Sequence, residues 1–184
     1  MTTSIKNTLL TGLLVFWLFP FSAQAEVDCT TLPHWVELDN GMQMNQKHVF
    51  CGEWKRGRAK GFHSRPDGKN PATVAKFTVQ DHPNKAGIYT GRWSYQNHTD
   101  KNKFSSMFPD NCSTEQVLNS INYASSNTDA NCPKGSPNWT KCGQNMPASA
   151  DNNQAYCSIN GKHFTIGYAP PRNGKINTAF PIFK

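Results

Sequence analysis

Beyond Phe21 the chain has no long apolar run, which excludes a protein that crosses a membrane several times. It has no Cys-x-x-Cys, so a zinc ribbon or a thioredoxin-like redox site finds no support. It also lacks a carboxylate cluster at metal-ligand spacing, an internal repeat, and any composition shift that would mark a linker. Charged residues are sparse at 17%, and the low hydropathy comes from amides, Asn above all, more than from ions. What the chain does have is 5 Trp, 11 Phe and 5 Tyr in 184 residues, a supply of aromatics that argues against disorder. The apolar share of 36% is lean but sufficient for one core, and the length sets a single domain as the default.

The one apolar block runs from Leu9 to Phe21, after Lys6 and before Ala23-Gln24-Ala25. A charge, a run too short to span a bilayer and a small-x-small end read as a secretory signal over residues 1–25, cleaved after Ala25. Residues 26–184 are then the exported domain, with no stable membrane insertion once the signal is removed. All six cysteines, Cys29, Cys51, Cys112, Cys132, Cys142 and Cys157, fall in that part. In an exported chain an even number reads as up to three disulfides, whose pairing sequence alone leaves open.

Along the chain, Asp39-Asn40-Gly41 signals a turn. Residues 72–79 alternate as a strand with Ala75, Phe77 and Val79 on one face. Residues 88–95 do the same with Tyr89, Trp93 and Tyr95, a stripe that reads as core. Ser113-Thr114-Glu115-Gln116 resembles a capping box, and Val117, Leu118, Ile121 and Ala124 follow at helical spacing. Residues 125–155, rich in Ser, Asn, Pro and Gly, read as a long disulfide-held loop. Asn160-Gly161 between residues 156–159 and 162–168 is a hairpin signal, and Pro170 to Gly174 a further turn. The class is α+β, one compact domain with antiparallel sheets, a few helices and a C-terminal meander.

Four cations stand in Lys55-Arg56-Gly57-Arg58-Ala59-Lys60, with Lys47 and Arg65 just outside and His48 and His63 on either side. The histidines are 15 residues apart, which suits neither a helical face nor a zinc site. A hairpin turning at Lys55-Arg56 would set the two imidazoles opposite one another. Facing histidines beside cations suit RNA cleavage. One imidazole takes the ribose 2′-hydroxyl proton, the other protonates the departing 5′-oxygen, and a cation stabilises the phosphorane-like transition state. His34, His82, His98 and His163 receive no catalytic role; His98 reads as a loop residue and His163 as part of a strand.

The segments His48 to Trp54 and Gly61 to Ser64 resemble the paired histidine motifs of the EndoU-like endoribonucleases. The bacterial branch of that family includes secreted and contact-delivered toxin domains. Gly87-Ile88-Tyr89, Lys103 to Pro109, the helix from Ser113 and Ile176 to Pro181 keep the order, so the resemblance spans about residues 45–184. It implies His63 as general base, His48 as general acid and Lys103 as the charge-stabilising lysine, with Lys101 close by. Thr178 would read uracil edges, Phe180 would stack on the base where the family usually has Tyr, and Gly61 would let backbone approach the phosphate. The activity implied is cleavage of single-stranded RNA at uridine, leaving a 2′,3′-cyclic phosphate and a 5′-hydroxyl. No obligatory metal or other cofactor is implied, although some relatives respond to manganese. RNA is the implied partner, and a toxic role would add a protective inhibitor protein in the producing cell. The rival from the residues alone is a non-enzymatic exported protein that binds RNA or other polyanions; a metal-dependent DNA-cutting toxin is a third reading.

Overall fold

The computed structural model describes residues 26–129, 131–149 and 153–184; the expected signal, residues 1–25, lies outside them. The elements run β1 (Trp35–Glu37), β2 (Gln43–Asn45), α1 (Gln46–Phe50), β3 (Glu53–Lys55) and β4 (Arg58–Lys60). Then come β5 (Val74–Asp81), β6 (Tyr89–Tyr95), β7 (His98–Met107) and α2 (Thr114–Ser126). The chain closes with β8 (Lys141–Gln144), β9 (Thr165–Tyr168), β10 (Lys175–Ile176) and β11 (Ala179–Pro181). The strands form the sheets β1-β2-β10, β5-β6-β7 and β11-β9-β8 and the hairpin β3-β4. Every pairing is antiparallel except β10 with β2, so the class is α+β.

The capping box forms as the sequence suggests. Ser113 Oγ accepts from Gln116 N–H at 3.1 Å, Gln116 Oε1 accepts from Ser113 N–H at 2.9 Å, and α2 follows for 13 residues. Val117, Ile121 and Ala124 are buried in the larger of two cores, with Met44, Val49, Phe50, Ile88, Phe108 and Ile166 among the side chains around them. The smaller core gathers Ala59, Phe62, Val74, Tyr89, Trp93 and Met107, with Tyr95 packed against it, so the aromatic stripe of β6 is core. On β5 only part of the expected face turns inward. A register shift between Val74 and Lys76 puts Val74 and Phe77 on the core side and leaves Ala75 exposed. Val79, on the same face as Phe77, lies outside the core cluster and is exposed.

Other expectations give way to contacts between distant segments. Residues 125–155 are not all loop, because Lys141–Gln144 pairs with β9 as a strand. The Asn160-Gly161 turn exists, both residues at positive φ and Lys162 N–H bonded to Ile159 C=O at 2.9 Å, but no ladder flanks it. Its first arm is drawn to α2 instead, where Cys157 N–H meets Ser120 Oγ at 2.9 Å and Cys157 Sγ forms a disulfide with Cys112. The meander survives only as β8-β9-β11, since β10 leaves to pair with β2. His98 opens β7, with its ring stacked on Trp54 at 3.7 Å, and His163 is exposed just before β9.

All six cysteines are paired, as Cys29–Cys51, Cys112–Cys157 and Cys132–Cys142. Three bridges mark a chain that folds in an oxidising compartment outside the cytoplasm. Among the described residues no helix is long and apolar enough to cross a membrane. The bridges are unequal as staples. Cys112–Cys157 spans 45 residues and Cys132–Cys142 spans 10. Loop-closure entropy then assigns them about 4 and about 2.7 kcal/mol. Replacing Cys112 and Cys157 together by Ala should therefore lower the urea midpoint more than replacing Cys132 and Cys142, in equilibrium denaturation under non-reducing conditions.

Candidate active site

The hairpin that joins the histidines turns one residue later than the sequence suggests. Lys55 pairs with Arg58, so Arg56 and Gly57 form the turn, at φ 54° and 72°. A two-residue turn of this hand needs positive φ at both positions, and Gly57 takes the second without strain. With that register His48 is not in the ladder at all. It sits on α1, a five-residue helix whose N-cap, Asn45, accepts from His48 N–H at 3.0 Å through its side-chain oxygen.

What brings the imidazoles together is a clasp beyond the hairpin. Phe62 N–H donates to His48 C=O and His63 N–H to Val49 C=O, each at 2.7 Å. Gly61 makes the approach possible. It stands at φ 72°, and a Cβ there would lie 2.1 Å from the His48 carbonyl oxygen. Val49 and Phe50 bury in the larger core and Phe62 in the smaller, so both sides of the clasp are anchored by full burial. The result is two buried rings 6.2 Å apart between centroids, their planes 29° from parallel.

Each ring is oriented through Nδ1. His63 Nδ1 lies 3.0 Å from Ser106 C=O, which can only accept, so Nδ1 carries the proton and Nε2 keeps its lone pair. Burial, with the charges of Lys103 and His48, holds the His63 pKa well below its ordinary value, and the ring is neutral where histidine usually titrates. His48 Nδ1 lies 3.2 Å from Glu53 Oε2. The hydrogen bond from His48, together with its charge and a bond from Asn45, brings the Glu53 carboxyl down to about 2. Glu53 is then an anion that accepts only, and His48 presents Nε2 as its second, free nitrogen. Similar rings in different surroundings are suited to opposite proton-transfer roles.

Lys103 lies on β7, where Nζ donates to Phe104 C=O at 2.9 Å and Ser105 Oγ at 2.8 Å. Desolvation in the cleft pushes its pKa down to about 7. Ser105 Oγ in turn donates to Gly61 C=O at 3.1 Å, tying the lysine strand to the histidine clasp. Lys101 is exposed, its ammonium near Gly57 C=O and over Trp54. The Phe180 ring on β11 lies 5.4 Å from His63, and Thr178 precedes that strand. His48, Gly61, His63, Lys103, Thr178 and Phe180 all line one cleft of about 790 Å³. The basic stretch is only partly a free patch. Arg58 and Lys60 reach the cleft, whereas the outlying Arg65 is held by Asp110 at 2.9 Å and by Tyr89.

Three contributors carried no sequence signal for a role. Glu53 lies inside a quoted motif, but only the fold shows that it faces His48. Asn45, 1% exposed, caps α1 and gives its amide hydrogens to Glu53 Oε1 at 3.2 Å and Asn177 Oδ1 at 3.3 Å, linking the carboxylate beside His48 to the segment of Thr178. The Ser106 carbonyl is backbone, which no side-chain pattern reveals.

The family model described as bacterial EndoU nuclease matches residues 42–183. Comparison with curated proteins gave no match, and comparison with solved structures gave none.

The clasp makes a direct prediction. Gly61→Ala meets both a left-handed backbone and the His48 carbonyl, so it should destabilise the fold by at least about 1–2 kcal/mol in urea titrations. A midpoint equal to that of the parent would show that the loops close without the glycine.

Proposed function

The chain belongs to the bacterial EndoU nuclease family, and from that premise we propose that this nuclease is an endoribonuclease. It cleaves single-stranded RNA on the 3′ side of uridine by attack of the ribose 2′-hydroxyl. His63 Nε2 removes the 2′-hydroxyl proton, and the freed O2′ bonds to phosphorus. The bond from phosphorus to O5′ breaks, and His48, protonated at Nε2, delivers a proton to that leaving oxygen. The products are a 2′,3′-cyclic phosphate and a 5′-hydroxyl. The Lys103 ammonium offsets the charge that gathers on the non-bridging oxygens. No step of this route is assigned to a metal ion. The observation that supports it most is the histidine pair itself: near-parallel rings, both fixed through Nδ1, one neutral and one beside a carboxylate.

Phe180 gives the uracil a stacking face beside His63, and Thr178 reads its polar edge. Without a phenolic hydroxyl Phe180 adds no hydrogen bond, so preference for uridine rests on Thr178. The signal-like composition of residues 1–25 and the three disulfides support export to the periplasm or the medium. There the enzyme scavenges RNA or acts as a toxin, and in the second case the producing cell carries an inhibitor protein.

Incubation of the purified domain with a uridine-containing oligoribonucleotide should give cyclic-phosphate ends by mass spectrometry, with no cleavage where the target 2′-hydroxyl is replaced by hydrogen. His63→Ala should lower kcat/KM by about 10²–10⁴-fold, the usual range for loss of a general base. Intact RNA would leave the rival, a polyanion-binding protein. Cleavage unchanged in His63→Ala would remove the residue assignment.

The pH profile follows from the two depressed pKa values. His63 stays unprotonated below 6.5, so activity persists on the acid side, whereas Lys103 loses its charge as pH rises through about 7. Lys103 should contribute a decline in kcat/KM near pH 7 that is absent from Lys103→Arg, whose charge is permanent, leaving only the decline set by the His48 proton.

A further inference from the structure

Two large aromatic side chains stand half exposed among the described residues, Phe104 at 50% and Trp139 at 49%, and both line the cleft of the histidines. Trp139 is the more informative. It belongs to neither core, so folding does not account for its position. It rides on the segment closed by Cys132–Cys142, whose turns are fixed by Ser136 N–H to Pro133 C=O at 3.1 Å and Thr140 N–H to Pro137 C=O at 3.0 Å. Cys142 lies on β8, in the sheet whose far strand, β11, carries Phe180. The two rings meet edge to face, 5.9 Å apart at 65°, so half of Trp139 stays open to solvent beside the ring that faces His63. The segment holds Lys134 and Lys141, both exposed, and no acidic residue from 131 to 141.

We propose that the Cys132–Cys142 loop is a second base platform, on which Trp139 stacks the nucleotide adjacent to the one seated on Phe180. The proposal rests on the reading of the cleft as a single-stranded RNA site. An exposed aromatic in a cleft lined by Arg58, Lys60, Lys101 and Lys103, with Asp81 its one acidic lining residue among the described residues, is the arrangement that receives an unpaired base and its phosphate. The short disulfide loop presets the ring, so less ordering entropy is lost when the base arrives. The site therefore grips at least two nucleotides, and the staple that contributes least to stability is the one that holds the second.

The test measures binding, with 2′-O-methyl oligonucleotides that cannot be cleaved. Affinity is followed by fluorescence anisotropy for a labelled uridine mononucleotide and for a dinucleotide and trinucleotide containing it. The parent protein should bind the dinucleotide more tightly than the mononucleotide. Trp139→Ala should weaken dinucleotide binding by about 5- to 150-fold, the range for loss of one stacking aromatic, and Trp139→Phe should restore most of it. Equal dinucleotide affinity in parent and Trp139→Ala, or no recovery in Trp139→Phe, would overturn the platform. The two readings fail separately. Cleavage of RNA with no Trp139-dependent binding step removes only the platform, and a Trp139-dependent step without cleavage removes only the nuclease chemistry.

Discussion

The hydrogen bonds from Phe62 and His63 N–H to the carbonyls of His48 and Val49 set the spacing on which the site depends. They lie outside the regular hairpin and join a one-turn helix to an irregular segment, so no repeating ladder reinforces them. Their strength is borrowed from burial on both sides: Val49 and Phe50 in one core, Phe62 in the other, each fully shielded from water. A single missing Cβ, at Gly61, lets the chains close to bonding distance. The glycine thus serves the histidine geometry through packing against His48, whatever its approach to a phosphate.

Around this clasp the polar groups divide the labour by environment. His63 is enclosed and faces a neutral carbonyl, while His48 faces an anion. Asn45 and Ser105 extend the arrangement outward, the first to Glu53 and the segment of Thr178, the second from Lys103 to Gly61. Neither touches the reacting atoms in the proposed route; both fix groups that do. Lys103 bears a cost for its place, since desolvation weakens its hold on a proton, and an anionic phosphate in the cleft would offset that loss.

Much of this was legible from local pattern. The capping box at Ser113, the core stripe of Tyr89, Trp93 and Tyr95, and the nearness of His48 to His63 needed only short-range spacing. The route by which the histidines meet was not legible, because turn chemistry at Arg56-Gly57 shifts the register and a helix replaces the expected strand at His48. The same lesson holds at the C-terminal end. Lys141–Gln144 has little strand character of its own and is held by pairing with β9, and Cys157 is drawn to α2 in place of a hairpin partner. Local propensity lost wherever a disulfide or a distant strand supplied a stronger contact. Glu53 and the Ser106 carbonyl show the other limit: their roles exist only in three dimensions.

The division between the two imidazoles can be read directly from nitrogen-15 chemical shifts of histidine-labelled protein, followed through the acid range. The account predicts that His63 remains a neutral ring with its proton on Nδ1 at pH 6, where an ordinary histidine is mostly protonated. A His63 that titrates at the ordinary value, or that carries its proton on Nε2, would contradict it.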